Sequence, residues 1–284
     1  MNSTRRFTKG HGTRNDFVLL EDVDGDLRLD AESVAHLCDR RGGIGGDGLI
    51  RIVRTRAADV EAPEDAPEWF MDYRNADGSI AEMCGNGVRV FAAYLDRAGL
   101  APADTFPIWT RGGLRTIEIL DRPAPDRPAD PWEVRVGMGP ATFGDTPRTV
   151  TVSGTSLATV DVDMGNPHAV AFLPPELDLE ALDLDHAPRL EPFPSGGTNI
   201  EFVVERGDHH VALRVFERGV GETESCGTGT AAVGAAARRR AGVRDTLPWR
   251  VDVPGGTLTV GWSEDGTLTL AGSAHLVADG TVSL

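Results

Sequence analysis

The sequence lacks the features that mark membrane and secreted proteins. No stretch approaches the roughly 20 apolar residues that a membrane-spanning helix requires, and the opening MNSTRRFTKGHG has two arginines without the apolar segment of a secretory signal. Cysteine occurs only at positions 38, 84 and 226, and so small and odd a number argues against a disulfide framework. We therefore expect a cytoplasmic protein that has thiols rather than disulfides and no membrane partner.

Lysine is almost absent, and basic side chains are fewer than acidic ones. Lys9 is the one lysine of the chain, so a pyridoxal phosphate enzyme would have a single candidate for its Schiff base. Lys9 lies in the expected first strand, away from any phosphate-binding pattern, and we expect no cofactor. The 28 basic and 44 acidic side chains give a net charge of -16, which disfavours nucleic acids and anionic membranes as partners. The seven histidines show no HExxH or similar spacing, so we expect no metal.

A proline-rich segment divides the sequence into two parts. Residues 121–131, DRPAPDRPADP, place four prolines among charged side chains and cannot form a helix interior or a central strand. We interpret this segment as a linker between an N-terminal domain, residues 1–125, and a C-terminal domain, residues 131–272. Both parts contain many apolar stretches of strand length and few helical patterns, so the sequence predicts an α+β protein.

The two parts carry near copies of one motif. MCGNG stands at residues 83–87 and SCGTG at residues 225–229, each after a strand, a polar turn and an acidic residue. Behind each motif runs a segment with the composition of a buried helix, and the two segments end at Gly99 and Gly242. The sequence therefore predicts two similar halves, each with a cysteine at the N-terminus of a buried helix.

Two thiols at helix N-termini can perform acid-base chemistry on an amino acid. The unpaired amides and partial positive charge of a helix N-terminus lower a thiol pKa and attract a carboxylate. If the halves face each other across a cleft, the α-carbon of an amino acid lies between the sulfurs of Cys84 and Cys226. One thiolate then removes the α-proton and the other thiol protonates the opposite face, which inverts the configuration. The pattern therefore indicates a cofactor-independent racemase or epimerase.

Other interpretations of these residues stay open at this point. Cys84 and Cys226 could instead form a redox couple, although redox pairs usually occur as CxxC, which the sequence does not contain. A module that only binds amino acids is a further alternative. Cys38, in an apolar helix, is expected to be a buried hydrophobic residue. The glycine-rich GIGGDG at residues 43–48 follows a helix and precedes a strand, so we interpret it as a flexible turn rather than a dinucleotide site.

Further segments extend the pattern over nearly the whole chain. In order they are KGHGTRNDF (9–17), RNADGS (74–79), MCGNGVRVFA (83–92), MGNPH (164–168), TNI (198–200), ERGVGET (217–223), ESCGTGT (224–230) and PGG (254–256). With these segments in this order, the sequence resembles the diaminopimelate epimerase family. The resemblance implies cofactor-free interconversion of LL- and meso-2,6-diaminopimelate in bacterial lysine and peptidoglycan synthesis. It also implies two similar domains, each a mixed β-sheet curled around a central helix, with the active site in the cleft between them and a final strand, residues 273–284, that returns to the first domain.

The resemblance assigns roles to individual residues. Cys84 and Cys226 are implied as the catalytic pair, with Cys226 accepting and Cys84 donating a proton in the LL-to-meso direction, and His168 and Glu217 as groups that tune the thiols. The residues implied to hold the reacting carboxylate are Gly85, Asn86, Gly227 and Thr228. Those implied to bind the distal amino-acid end are Asn15, Asn75, Asn166, Asn199, Glu217 and Arg218, whose amides and charges suit a second ammonium and carboxylate.

The sequence departs from the family pattern in two places. Gly48 stands where many members have a glutamine that contacts the substrate, and Ala278 stands where some have a tyrosine in a subunit interface. A homodimer is still expected. Proline racemases and hydroxyproline epimerases are the nearest alternatives, but their pattern has a histidine at the position of Asn86.

Overall fold

The computed structural model describes residues 4–283, which form two compact units. The first unit comprises Met1–Val136 and Gly272–Leu284, and the second comprises Gly137–Ala271. The elements of the first unit are strands β1 (Thr4–Gly12), β2 (Asn15–Glu21), β3 (Gly48–Arg54), β4 (Trp69–Asn75), β5 (Thr105–Thr110), β6 (Gly113–Asp121) and β7 (Trp132–Gly139), helices α1 (Ala31–Cys38) and α2 (Gly85–Arg97), and a 3-10 turn (Thr55–Ala57).

The second unit consists mainly of strands around one helix. Its elements are strands β8 (Thr142–Phe143), β9 (Arg148–Val152), β10 (Thr155–Asp163), β11 (Pro167–Phe172), β12 (Arg189–Glu191), β13 (Asn199–Gly207), β14 (His210–Glu217), β15 (Gly221–Thr223), β16 (Trp249–Val253) and β17 (Gly256–Trp262), and helix α3 (Gly227–Ala241). The last strand, β18 (Leu268–Ser283), begins in this unit and continues into the first.

The two units repeat one pattern of strand pairing. In the first, β1–β2 is antiparallel, β2–β3 parallel, β3–β4 antiparallel, β4–β5 parallel and β5–β6 antiparallel. In the second, β10–β11, β11–β13, β13–β14, β14–β16 and β16–β17 pair in the same alternation. Helix α2 precedes β5, and helix α3 precedes the equivalent strand β16. The prediction of two similar halves is therefore confirmed at the level of topology.

Each mixed sheet packs around its own central helix. Helix α2 contacts β1, β2, β3, β4 and β6, and α3 contacts β10, β11, β13, β14, β16 and β17. Glycines permit this close packing, because a Cβ atom at Gly10 would lie 2.7 Å from Val90 Cγ1 and one at Gly234 would lie 2.6 Å from Val260 Cγ1. The α+β prediction is confirmed, and the central position explains why most of the buried residues of both helices are apolar or small.

The proline-rich segment 121–131 does not lie between the two units. It connects β6 to β7, and these strands pair antiparallel within the first unit. The division falls instead after Val136, inside β7. Prolines forbid a helix or a central strand but suit a hairpin connection as well as a linker, so composition alone did not distinguish the two.

The chain returns to the first unit through β18. This strand pairs antiparallel with β1, from Thr4 opposite Ser283 to His11 opposite His275. Leu284, the last residue of the predicted returning strand, lies outside the described residues. No helix between residues 4 and 283 has the length and apolar character needed to cross a membrane.

Candidate active site

Both motif cysteines occupy the N-cap of the central helix of their unit. Cys84 precedes α2 with φ -137° and ψ 116°, and Cys226 precedes α3 with φ -116° and ψ 115°. In this extended conformation the residue lies just outside the helix, where the first amide groups have no intrahelical acceptor. Each sulfur is thus placed at the positive end of a buried helix.

The start of α3 surrounds the Cys226 sulfur with donors. The Gly229 amide donates to Sγ at 3.4 Å, and the Thr228 hydroxyl lies 3.5 Å from the same atom. A Cβ atom at Gly229 would lie 2.7 Å from Glu201 Oε1 and 3.3 Å from the sulfur. The second glycine of the motif therefore lets the helix terminus approach both groups.

The carboxylates of Glu217 and Glu201 place negative charge beside Cys226. Burial raises the pKa of the Cys226 thiol well above its usual value, and the charges of Glu217 and Glu201 raise it further. Burial also raises the pKa of Glu217, whereas hydrogen bonds from the Thr223 hydroxyl and the Cys226 thiol oppose that shift. The resting state therefore favours a thiol at Cys226, with Glu217 hydrogen-bonded to it as a proton acceptor.

A hydrogen-bonded series links Cys226 to a buried histidine. Asn166 Nδ2 donates to Thr228 Oγ1 at 3.3 Å, and Asn166 Oδ1 lies 3.1 Å from His168 Nε2. His168 Nδ1 lies 2.6 Å from Glu201 Oε1, and both of these side chains are fully buried. With the amide in this orientation both ring nitrogens of His168 face oxygen atoms.

Asn199 and Arg218 extend this group, which we call the Cys226 cluster. Its members are Cys226, Thr228, Asn166, His168, Glu201, Glu217, Asn199 and Arg218. Asn199 Oδ1 accepts from the Arg218 amide at 2.9 Å, and its Nδ2 donates to Pro167 O at 3.3 Å. Arg218 Nη1 donates to Gly196 O at 2.8 Å. The ends of β11, β13 and β14 thus bring all the site residues predicted for the second half to one place.

The Cys84 cluster in the first unit consists of Cys84, Asn15, Asn86 and Asp47. Asn15 Oδ1 accepts from the Cys84 thiol at 3.6 Å and from Asn86 Nδ2 at 3.3 Å. Asn15 Nδ2 donates to Asp47 Oδ2 at 2.9 Å, which fixes the orientation of the amide. The Asn15 oxygen is therefore turned toward the helix terminus that carries Cys84.

The glycine-rich loop is more firmly held than a flexible turn. The amides of Ile44, Gly45 and Gly46 donate to carbonyls at the end of α1, and the amide of Asp47 donates to Asp16 O at 2.8 Å. Arg40 bridges Asp16 and Asp47. The interpretation of the loop as flexible was therefore wrong, because the preceding helix, Arg40 and the distant Asp16 anchor it from outside the segment.

A tyrosine fills the space beside Gly48. A Cβ atom at this position would lie 2.6 Å from Arg74 O and 2.7 Å from Tyr73 Cε2. The Tyr73 hydroxyl donates to Asn75 Oδ1 at 3.1 Å, and Asn75 Nδ2 donates to Ser79 Oγ at 3.0 Å. These bonds of Asn75 lie within β4 and the turn that follows it, and they do not join it to the Cys84 cluster.

Cys38 and Lys9, the other two residues that the sequence analysis considered for chemistry, have structural roles. Cys38 is buried in α1, and burial raises its pKa to about 11, which makes it an unreactive thiol at neutral pH. Lys9 forms an ion pair with Asp16 at 2.6 Å and also donates to Gly45 O. Among residues 4–283, no three His, Cys, Asp or Glu side chains are grouped so that they could hold a metal ion.

Comparison with known proteins identifies the family. The sequence profile described as Diaminopimelate epimerase matches residues 7–144 and 160–277. The chain belongs to the diaminopimelate epimerase family. The diaminopimelate epimerase of Streptomyces coelicolor is 48% identical over 294 residues, which cover 98% of this chain and 96% of that protein. That of Corynebacterium glutamicum is 48% identical over 290 residues and covers 100% of both. The resemblance that the motifs indicated is confirmed.

Solved structures of lower identity share the fold of this diaminopimelate epimerase family member. A Bacillus anthracis phenazine biosynthesis protein of the PhzF family aligns with a TM-score of 0.72 at 17% identity, covering 99% of this chain and 100% of that chain. A hydroxyproline epimerase from Agrobacterium vitis aligns with a TM-score of 0.69 at 14% identity, covering 99% and 93%. The fold is therefore common to proteins with different names.

Sequence reasoning missed two charged residues that orient members of the two clusters. Glu201 is an acidic residue in the otherwise buried strand β13 and lies on the same face as Asn199, two positions earlier. The alternation of Asn199 and Glu201 with apolar residues could have indicated that Glu201 faces the same side as the predicted site residue Asn199. Asp47 was visible only as the one charged residue of the glycine-rich segment, and nothing local to it points to Asn15.

Proposed function

We propose that this protein is a cofactor-independent epimerase that interconverts LL- and meso-2,6-diaminopimelate, with Cys84 and Cys226 as its acid-base pair. The observation that carries the proposal is that each of two topologically equivalent units places a cysteine at the N-cap of its central helix. Two further findings support diaminopimelate as the substrate. The family profile matches most of the chain, and relatives that are 48% identical are named diaminopimelate epimerase.

The proposed reaction needs no external reactant. A thiolate takes the α-proton, so that the C–H bond breaks and an S–H bond forms, and the electron pair is delocalised into the substrate carboxylate. The opposite thiol then gives its proton to the other face, and its sulfur becomes the thiolate. In the LL-to-meso direction Cys226 accepts and Cys84 donates. The mechanism requires the α-carbon to lie between the sulfurs of Cys84 and Cys226.

The proposed binding roles follow the chemistry of the two clusters. The amides that begin α2 and α3, at Gly85 and Asn86 and at Gly227 and Thr228, stabilise the charge that develops on the reacting carboxylate. The distal amino-acid end is bound by Asn15, Asn75, Asn166, Asn199, Glu217 and Arg218. Glu217 and His168 tune the thiols, and Glu217 takes the Cys226 proton when that sulfur must act as the base.

The chemistry needs no electron sink from pyridoxal phosphate. The one lysine, Lys9, forms an ion pair with Asp16 and donates to Gly45 O, whereas a Schiff-base lysine must present its amine to the substrate as a nucleophile. The amides of the helix N-termini serve as the electrostatic sink instead. We further propose a cytoplasmic homodimer that acts in lysine and peptidoglycan synthesis.

The deciding experiment is proton NMR of LL-diaminopimelate in D2O with reduced protein and no added cofactor. We expect the meso isomer to appear with deuterium at the inverted α-carbon. Cys84→Ala and Cys226→Ala should each abolish conversion, whereas Cys38→Ala should retain it as a matched thiol control. If LL-diaminopimelate is not converted by folded, reduced protein, the proposal is overturned, and proline and hydroxyproline become the next substrates to test. A reversible Cys84-Cys226 disulfide without turnover of any of them would favour a redox function.

A further inference from the structure

Helix α2 contains a fully buried arginine that none of the proposed roles uses. Arg89 is 0% exposed. Its Nη2 donates to Thr13 Oγ1 at 3.1 Å and its Nε donates to Ser273 O at 3.4 Å. Its Nη1 is buried without a hydrogen-bond partner, and within residues 4–283 no carboxylate forms an ion pair with its guanidinium. A buried cation without a paired anion is costly and calls for an explanation.

The fold makes room for this guanidinium at the start of the helix. Long side chains on a helix point back toward its N-terminus, and Arg89 therefore reaches the first turn of α2. A Cβ atom at Gly12 would lie 2.9 Å from Arg89 Nη2 and 3.0 Å from Asn86 O. The glycine that ends β1 thus leaves the space that the guanidinium occupies beside Asn86.

Hydrogen bonds connect Arg89 to the thiol of Cys84. The Thr13 hydroxyl, which accepts from Arg89, donates to Asn86 Oδ1 at 3.5 Å. Asn86 Nδ2 and the Cys84 thiol both donate to Asn15 Oδ1. A continuous series of hydrogen bonds therefore runs from Arg89 through Thr13 and Asn86 to Asn15, whose side-chain oxygen contacts the Cys84 sulfur.

The electrostatic interactions of Arg89 also involve Cys84. Burial lowers the pKa of Arg89 to about 10, so it remains a cation at neutral pH, and the groups of negative charge that act on it are Cys84 and Glu133. Burial raises the pKa of Glu133, although Arg89 opposes the shift. Of Cys84 and Glu133, Cys84 has the larger effect and lies at the N-cap of the helix whose first turn Arg89 reaches, so its thiolate is the anion that the guanidinium best compensates.

We propose that Arg89 is a positioning residue that stabilises negative charge on the Cys84 sulfur and holds Asn86 and Asn15 in place through Thr13. This inference rests on the proposed role of Cys84 as an acid-base group. When Cys84 gives up its proton, the buried guanidinium and the helix amides compensate the thiolate. Cys226 differs, since the charges that act most strongly on it are the carboxylates of Glu217 and Glu201. The two thiols are thus tuned by charges of opposite sign.

The test follows the pH dependence of alkylation by iodoacetamide at each cysteine, quantified by mass spectrometry of the separate peptides. In Arg89→Met we expect the midpoint for Cys84 to rise by about one pH unit, with the midpoint for Cys226 unchanged. Arg97→Met is the matched control, because Arg97 lies on the same helix but pairs with Asp279 at its far end. We expect no shift in that variant.

The outcomes separate the role of Arg89 from a purely structural one. An unshifted Cys84 midpoint in folded Arg89→Met, or an equal shift in Arg97→Met, overturns the proposal. If Arg89→Met does not fold, Arg89→Lys decides, because it retains the cation. We then expect the Cys84 midpoint to rise by less than about half a pH unit, and a rise of about one unit or more overturns the proposal. Alkylation needs no turnover, so a shift without epimerase activity would refute the proposed function and leave the role of Arg89 standing.

Discussion

His168 Nδ1 lies 2.6 Å from Glu201 Oε1, and neither side chain is exposed to solvent. The second carboxylate oxygen, Glu201 Oε2, is buried without a hydrogen-bond partner. The pair ends the hydrogen-bonded series that begins at Cys226, and it fixes which way the imidazole and the Asn166 amide face. We therefore expect Glu201 to influence the site through His168 and through its charge beside Cys226.

Glu201→Gln should weaken both folding and catalysis. The substitution replaces the carboxylate that His168 Nδ1 contacts in the buried interior, and we expect the free energy of unfolding to fall by about 1–3 kcal/mol, together with the rate of α-proton exchange. Urea unfolding and NMR exchange measure the two effects. Glu205→Gln, an exposed change on the same strand where Glu205 pairs with Arg240, is the control. Equal stability and activity in the Glu201 and Glu205 variants would contradict the assignment.

Glu217→Gln should lower the pKa of Cys226. Burial is the main cause of the raised pKa of this thiol, and the Glu217 carboxylate is the next. Removal of the negative charge makes the thiolate less costly, so the midpoint of Cys226 alkylation should move to lower pH. Epimerisation should nevertheless fall by about a hundredfold or more, because the proton acceptor is lost.

A control variant on the neighbouring strand β15 distinguishes an effect of the Glu217 charge from a general disturbance of the fold. Glu222→Gln on β15, where Glu222 pairs with Arg214, should leave the Cys226 midpoint and the rate of epimerisation nearly unchanged. If the midpoint in Glu217→Gln rises or stays constant, Glu217 does not act on Cys226 through its charge.

Asp72→Asn should destabilise the first unit. Asp72 is 0% exposed and contacts Arg51 Nε at 2.8 Å and Arg111 Nη2 at 2.7 Å. Burial alone would raise its pKa, but Arg111, Arg51 and Arg74 outweigh burial and lower it. Removal of the carboxylate abolishes the ion pair of Arg111 and leaves Arg51 with Asp22 as its carboxylate partner, and we expect a loss of about 3 kcal/mol in the free energy of unfolding, measured in urea at pH 7.

The same carboxylate gives stability a defined pH dependence. Since the folded pKa of Asp72 lies below the unfolded value of about 4, its contribution is complete above about pH 4 and is lost as the pH falls through the folded pKa. The difference between wild type and Asp72→Asn should therefore shrink under acid. Asp24→Asn, at an exposed ion pair with Arg54, should change stability by less than about 1 kcal/mol at either pH. A constant Asp72 difference down to acid pH would contradict this account.

Gly48→Ala should be poorly tolerated. The added Cβ atom would lie 2.6 Å from the backbone oxygen of Arg74 and 2.7 Å from the Tyr73 ring, and we expect a cost of about 1–3 kcal/mol in unfolding free energy. Gly196→Ala is the control, because no atom lies within 4 Å of its Cβ position. Wild-type stability in Gly48→Ala would show that β3 and β4 can separate there at little cost. The expected penalty explains why a glutamine is not accommodated at this position.

Local patterns determined much of the architecture and the choice of the two cysteines. A helix begins where a cap residue and glycines precede an apolar segment, and α3 ends where Gly242 adopts the left-handed conformation with φ 67°. These rules act over a few residues, so MCGNG and SCGTG placed Cys84 and Cys226 at helix N-termini from sequence alone. The repeat of the motif likewise indicated two similar halves.

Only the tertiary structure decided which distant groups act on each thiol. The contacts from Asp47 to Asn15, from Glu201 to His168 and from Arg89 to Thr13 join residues on different elements. It also showed that segment 121–131 joins two paired strands of one unit, although its prolines suit a linker equally well. Propensity and periodicity describe each segment by itself, whereas strand pairing, burial and the compensation of buried charge depend on what the folded chain brings beside it.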